Sequence, residues 1–436
     1  MLDVTAGNLV TKLCMDTQLP KMIRVRQKFD PAHIEPGDIP AIVRAQLDRP
    51  EITGKIRKGM TIAITSGSRG VANVALITKS VVDFLRELGA EPFVFPAMGS
   101  HGGATAEGQK QVLAAYGVTE EYLGCPVRAT METVQVGTVP DERNMPVFTD
   151  RYAHEADGII LIGRIKAHTA FRGPYESGLL KMSVIGMGKQ HGAETVHESG
   201  FANMARILPK VARVQFDNNN ILCGVGLIEN AFDQTYRILG LTPDEIWERE
   251  PAYLLEAKAR MGHILFGRAD VLVVDRIGKD VSGDGMDPNV TGRFACPGTA
   301  DDGSSGFAAQ RIVALGLTEE THHNANGIGM ADITTRRIVE DTDLDITYPN
   351  SITSTVLNVV MIPFVTECDR TAVQLGIRTC NGIDKRNPRV VRIQDTMHIG
   401  EILISEAMLD EARSNPNIEV LGSPEEWAFD QNGNLW

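Results

Sequence analysis

Thr61-Ile-Ala-Ile-Thr65, running into Ser66-Gly-Ser-Arg-Gly70, is the stretch that decides the fold. Alternating apolar and β-branched residues read as a buried strand, and the glycines end it. Val74, Ile77, Val81, Phe84, Leu85 and Leu88 then recur at helical spacing. The same strand–glycine turn–helix order returns twice. Pro92-Phe-Val-Phe-Pro-Ala-Met98 enters Gly99-Ser-His-Gly-Gly103 and a helix through Gln109 to Tyr116. Gly158-Ile-Ile-Leu-Ile-Gly163 enters Arg164-Ile-Lys-Ala-His168 and a polar loop. Strands alternating with helices predict an α/β fold with largely parallel sheets.

Further along, Thr242-Pro-Asp-Glu245 has the residues of a capping box, with a helix expected to run through Leu254 and Ala259 and to kink or break at Pro251. A strand at Ala269-Asp-Val-Leu-Val-Val-Asp275 opens a second α/β region, with a helix expected near 331–341 and a buried strand near 358–365. The chain has 436 residues, 43% of them apolar, too many for one typical domain. The boundary is placed near 263, giving an N-terminal domain of 1–262 and a C-terminal domain of 263–436 with the active-site cleft between them. The tail after Asn415 is expected to pack back on the N-terminal domain. There is no internal repeat.

With 43 basic and 56 acidic residues the net charge is −13, which argues against a nucleic-acid partner. No run of 18 apolar residues exists to span a membrane, and the first residues do not read as a secretory signal. Six scattered cysteines without a CxxC pair fit a reducing cytoplasm and disfavour structural zinc or iron–sulfur clusters. The expected partner is a small molecule, with a homodimer as one possible assembly.

Ligands of open α/β sheets bind beyond the carboxyl ends of the strands. Four strand ends deliver Arg69, His101, His168 and Lys279, all cationic or titratable near neutrality. That set suits a small anion and acid–base chemistry. Arg69, between Ser68 and Gly70, enters a helix start where free N–H groups attract anions. His101 stands among glycines that give it little cover. Lys181 lies in an apolar patch of Leu179, Leu180, Met182 and Val184, so it is desolvated, snorkelling or covalently engaged. His191 and His197 follow, as ligands of a soft metal or as ordinary loop polarity and capping.

At these residues the chain resembles the lactate racemase family, which uses a nickel-pincer nucleotide. The resemblance follows motif order along nearly the whole chain and is most specific between His168 and His197. It implies that Gly178-Leu-Leu-Lys181 is the site where the cofactor is attached through a thioamide, and that His197 ligates nickel. It implies His101 and His168 as the catalytic histidines, and Arg69 and Lys279 as holders of the substrate carboxylate or cofactor phosphate. Ser68, Gly70 and Gly178 are the accompanying cofactor contacts. The chain departs from the family at Ser66-Gly-Ser68, where an acidic residue and a Thr are usual, and at His101-Gly102, where His-Arg is usual. The His168–Lys181 interval is longer, and the loop after Lys279 runs into Val281-Ser-Gly-Asp-Gly-Met-Asp-Pro-Asn289. These changes leave the cofactor-handling residues intact and alter substrate contacts. The implied activity is therefore racemisation or epimerisation of a 2-hydroxy acid rather than of lactate specifically.

Two other functions fit the composition. One is a metal-dependent hydro-lyase acting on a sugar acid, with Asp280, Asp284, Asp287 and Asn289 around a hard cation. The other is a non-catalytic protein that binds a phosphorylated metabolite through the 66–70 and 99–103 loops.

Overall fold

The computed structural model describes residues 7–68, 70–140, 144–294, 296 and 305–436. In chain order the strands are β1 (Met22–Gln27), β2 (Thr61–Ser66), β3 (Glu91–Pro96), β4 (Thr133–Thr138), β5 (Pro146–Asp150), β6 (Gly158–Arg164), β7 (Ile221–Glu229) and β8 (Thr235–Leu241). They continue with β9 (Arg268–Ile277), β10 (Ala308–Leu317), β11 (Ile333–Thr335), β12 (Phe364–Thr366), β13 (Val390–Ile393), β14 (Glu401–Ser405) and β15 (Ile418–Val420). The chain divides into two compact units. One is Asp30–Met261, and the other joins the chain up to Phe29 with Gly262–Trp436.

In Asp30–Met261 the sheet order is β3-β2-β6-β7-β8, parallel except for β8. β6 and β7 are buried along nearly their whole length, as parallel strands covered on both faces must be. The helix Val74–Glu87 carries the chain from β2 to β3 and buries Ile77, Val81, Phe84 and Leu85. Thr242 caps the helix Pro243–Arg260 in the capping box its sequence announces. That helix runs on through Pro251 without a break.

The second unit has an eight-stranded sheet, β12-β11-β10-β9-β13-β14-β1-β15. β12 through β13 are parallel, and β14, β1 and β15 are antiparallel additions. The N-terminal strand thus differs from the 1–262 expectation, because its alternation commits it elsewhere. Ile23 and Val25 face the core, while Arg24 and Arg26 face out toward Glu401. Buried Gln27 locks the register: its Nε2 donates to Ile399 O at 2.7 Å and its Oε1 accepts from Leu265 N–H at 2.6 Å. The tail after Asn415 stays in this unit. β15 pairs with β1, and Trp427 Nε1 donates to Pro20 O at 2.9 Å.

Two local expectations are corrected. The helix foreseen at 331–341 begins only at Arg336, because Ile333-Thr-Thr335 pairs with β10 as β11. The buried strand foreseen at 358–365 is a 3₁₀ turn, Leu357–Val360, followed by the short edge strand β12 with Phe364 half exposed. Among the described residues no helix is long and apolar enough to cross a membrane.

The placement of β1 is testable. Ile23 is fully buried, so Ile23→Ala should destabilise the protein by about 2–5 kcal/mol in urea unfolding followed by tryptophan fluorescence. A loss below ~0.5 kcal/mol, the range of ordinary surface substitutions, would put β1 outside the core.

Candidate functional site

β2, β3 and β6 are neighbours in one sheet, so the loops leaving their carboxyl ends lie side by side. They line a cavity of about 230 Å³. Ser66, Gly67 and Ser68 come from the first loop; Ala97, Met98, Gly99 and His101 come from the second. Arg164, Lys166, Ser177 and Gly178 come from the third, and Lys181, Met182, Ile185, Gly186 and Leu227 complete the wall. Every lining residue belongs to Asp30–Met261.

Lys181 ends a single helical turn, Leu179–Lys181, which passes into a π-helical turn, Met182–Gly186. Such π turns are rare and are frequent at functional sites. Glu250, 1% exposed, receives the start of this segment: its Oε2 accepts the N–H groups of Leu179 at 3.0 Å and Leu180 at 3.2 Å. Gly178 permits that approach, since a Cβ there would lie 2.3 Å from Glu250 Oε1. Oε1 itself has no hydrogen-bond partner among the described residues. Burial pushes the Glu250 carboxyl up to about 8, against the opposing pull of the two N–H groups.

Lys181 Nζ lies 2.8 Å from His168 Nε2, and His168 Nδ1 accepts the Ala170 N–H at 2.9 Å. The loop around His168 is fastened by fully buried Glu176. This carboxylate accepts the His168 N–H at 2.8 Å and the Gly173 N–H at 3.2 Å, and it pairs with Lys258 at 2.7 Å.

His197 completes the group. The Phe201 ring stands 6.1 Å from the His168 ring and 5.3 Å from the His197 ring. His197 Nδ1 is buried with no hydrogen-bond partner among the described residues. Burial, and then the neighbouring Lys181 when charged, hold the His197 imidazole down at about 4, so it is neutral at physiological pH.

His101 reaches the same cavity on a loop that is tied from behind. Buried Gln109 donates through Nε2 to the carbonyls of Gly99 (2.8 Å), Met98 (3.2 Å) and His101 (3.3 Å). Lys189, fully buried, donates to Gln109 Oε1 and to Pro96 O at 2.7 Å, with Asp150 3.8 Å away. Burial lowers the Lys189 amine and raises the Asp150 carboxyl from their ordinary values.

The chain is similar in structure to the lactate racemase apoprotein from Thermoanaerobacterium thermosaccharolyticum, with a TM-score of 0.50, 12% identity, and coverage of 86% of this chain and 93% of that one. The fold is that of lactate racemase. No family model matches the sequence, and no curated protein matches it.

Within this lactate racemase-like fold, Ser68, His101, Gly178 and Lys181 line one cavity, and His168 touches Lys181. Gly70 is exposed and outside that lining, and Arg69 lies outside the described residues. Lys279 follows β9 in the other unit, its N–H donating to Thr321 Oγ1 at 2.9 Å. His191 is an exposed residue stacked on Phe148 at 3.9 Å. No group of three or more His, Cys, Asp or Glu is gathered to hold a metal among the described residues. In the loop foreseen as a cation site, two of the carboxylates are engaged within the protein. Asp280 accepts the Thr318 hydroxyl at 2.6 Å, and Asp287 caps Pro288–Thr291 through Asn289 N–H at 2.9 Å.

Sequence reasoning passed over Lys166, Glu176, Gln109, Lys189 and Glu250. Glu250 carried a signal: with Ile246, Leu254 and Ala257 it sits on the buried stripe of its helix.

Glu250 makes a pH prediction. Its carboxyl keeps a proton in the folded state up to about 8, whereas the unfolded chain releases it near 4.5. Its stabilising contribution is complete below about pH 4.5 and is lost as pH rises toward 8, at up to ~1.4 kcal/mol per pH unit. Thermal unfolding of Glu250→Gln should therefore decline less steeply than wild type across that window. Parallel profiles would mean that Glu250 ionises normally.

Proposed function

We propose that this protein is a racemase or epimerase of a 2-hydroxy acid that works with a nickel-pincer nucleotide. The observation that carries the reading is the 2.8 Å contact of Lys181 with His168, beside the orphaned Nδ1 of His197, at a cavity lined by His101. Fold likeness to a lactate racemase apoprotein supports it.

The donor set fits the group. A lysine amine is the group that a covalent acyl or thioacyl link needs, and a neutral imidazole kept from the proton is a good ligand for nickel. Lys181 would hold the nucleotide and His197 its metal, with Ser68 and Gly178 flanking the cavity. The bound nucleotide would supply the hydride acceptor that no amino-acid side chain provides.

The remaining steps belong to the chain. A 2-hydroxy acid loses its hydroxyl proton when its α carbon is oxidised, and the two stereoisomers present that hydroxyl differently. His101 and His168 give two proton acceptors on separate loops, one for each isomer. Once the Lys181 nitrogen is committed to its covalent link, His168 Nε2 is available to the substrate. Lys166, on the cavity wall, adds positive charge for the carboxylate. Met98, Met182, Ile185 and Leu227 give the wall an apolar side that limits water and selects the substrate's side chain.

The test uses protein made together with cofactor-synthesising enzymes. Single stereoisomers of a 2-hydroxy acid panel are incubated in heavy water and resolved by chiral chromatography. Isomerisation of at least one acid is expected, with His101→Ala and His168→Ala each slowing it by about 10²–10⁴ while the chromophore stays bound. Intact-mass measurement should find an adduct on wild type that Lys181→Ala lacks. Absence of isomerisation across the panel, or full activity with an unmodified Lys181, would defeat the reading.

A further inference from the structure

Large apolar side chains stand exposed at sixteen described positions, and eight of these fall within the 21 residues 344–364. The helix Leu344–Ser354 is built inside out. It buries Thr347 and Ser351, each 1% exposed. Leu344, Tyr348 and Ile352, one stripe at spacing i, i+4, i+8, are exposed by 47%, 40% and 70%. A surface helix ordinarily does the reverse. The turn Leu357–Val360 packs against this helix and leaves Leu357 59% exposed, with Met361 beside it also at 59%. β12 follows as the edge of the eight-stranded sheet, with Phe364 half exposed.

We propose that residues 344–364 form the two-fold interface of a homodimer. Area argues for it first. The eight side chains expose on the order of 800 Å², beyond the ~300–600 Å² of the largest patch on a typical monomer and equal to one partner's share of a standard interface. Charge argues for a second copy as the occupant. The chain carries a net charge of −13, so two copies repel over most of their surfaces, yet Asp345 is the one charged residue in this stretch. Like meets like here without burying ions, and homodimer interfaces are the more apolar class. A two-fold axis also lets one patch serve both partners and covers the edge strand β12, an aggregation hazard if left open.

Sedimentation velocity on the full chain at micromolar concentration tests the proposal. Wild type should sediment with twice the mass of one chain. Ile352→Glu combined with Leu357→Glu, both at exposed positions, should raise the dissociation constant at least ~30-fold and leave the circular dichroism unchanged. A monomeric wild type, as a different macromolecular partner would predict, overturns the proposal. So does a double variant that remains dimeric. Amide hydrogen exchange on wild type is independent of any substitution: protection in 344–364 should rise with protein concentration. A rise confined to other segments would overturn the proposal.

Discussion

A buried carboxyl group holding the first N–H groups of a short helical turn is the constraint on which the site depends. Glu250 sits where an anion at a helix start belongs, yet without a counter-ion among the described residues, and burial disfavours its charge. Gly178 is the only residue type that leaves room for it. From that anchor the chain turns once to Lys181 and then loosens into a π turn. The lysine amine is thereby delivered to His168, whose own loop is fixed by Glu176. Two buried acids, one behind the backbone of each partner in the contact, set its geometry before any ligand arrives, which is the meaning of preorganisation.

A third buried polar group does the same for His101. Gln109 spans three loop carbonyls and is itself gripped by Lys189. A glycine-rich loop would otherwise lose much conformational entropy to present one imidazole. Fastening it from the protein interior leaves the cavity side of the loop clear. Glu250 and Lys189, whose protonation equilibria burial shifts, thus both hold segments that line the cavity without lining it themselves.

Much of this was legible in the sequence because period and punctuation agreed. The strands β2, β3 and β6 are apolar runs closed by glycine, and their order in the sheet brings Ser68, His101, Gly178 and Lys181 to one cavity wall. The capping box of Thr242 was written in four residues. What stayed hidden depends on distant partners. β1 joins β14 some 375 residues away, and no local pattern encodes that choice. β11 is three residues long and takes its identity from β10. Glu250 looked like an ordinary helix acid because its partners, Leu179 and Leu180, lie 71 and 70 residues earlier.

The pairing of β1 with β14 and β15 has a consequence for synthesis on the ribosome. Met22–Gln27 emerges first, with its apolar face and both backbone edges bare, and its neighbours follow only at Glu401–Ser405 and Ile418–Val420. The intervening Asp30–Met261 holds all five strands of its own sheet and can close while translation continues. The eight-stranded sheet must wait until Ile418–Val420 has been made. Folding order is thus imposed by chain order: the lobe with the cavity matures early, and the nascent strand β1 has its outward arginines to oppose aggregation until its neighbours are made.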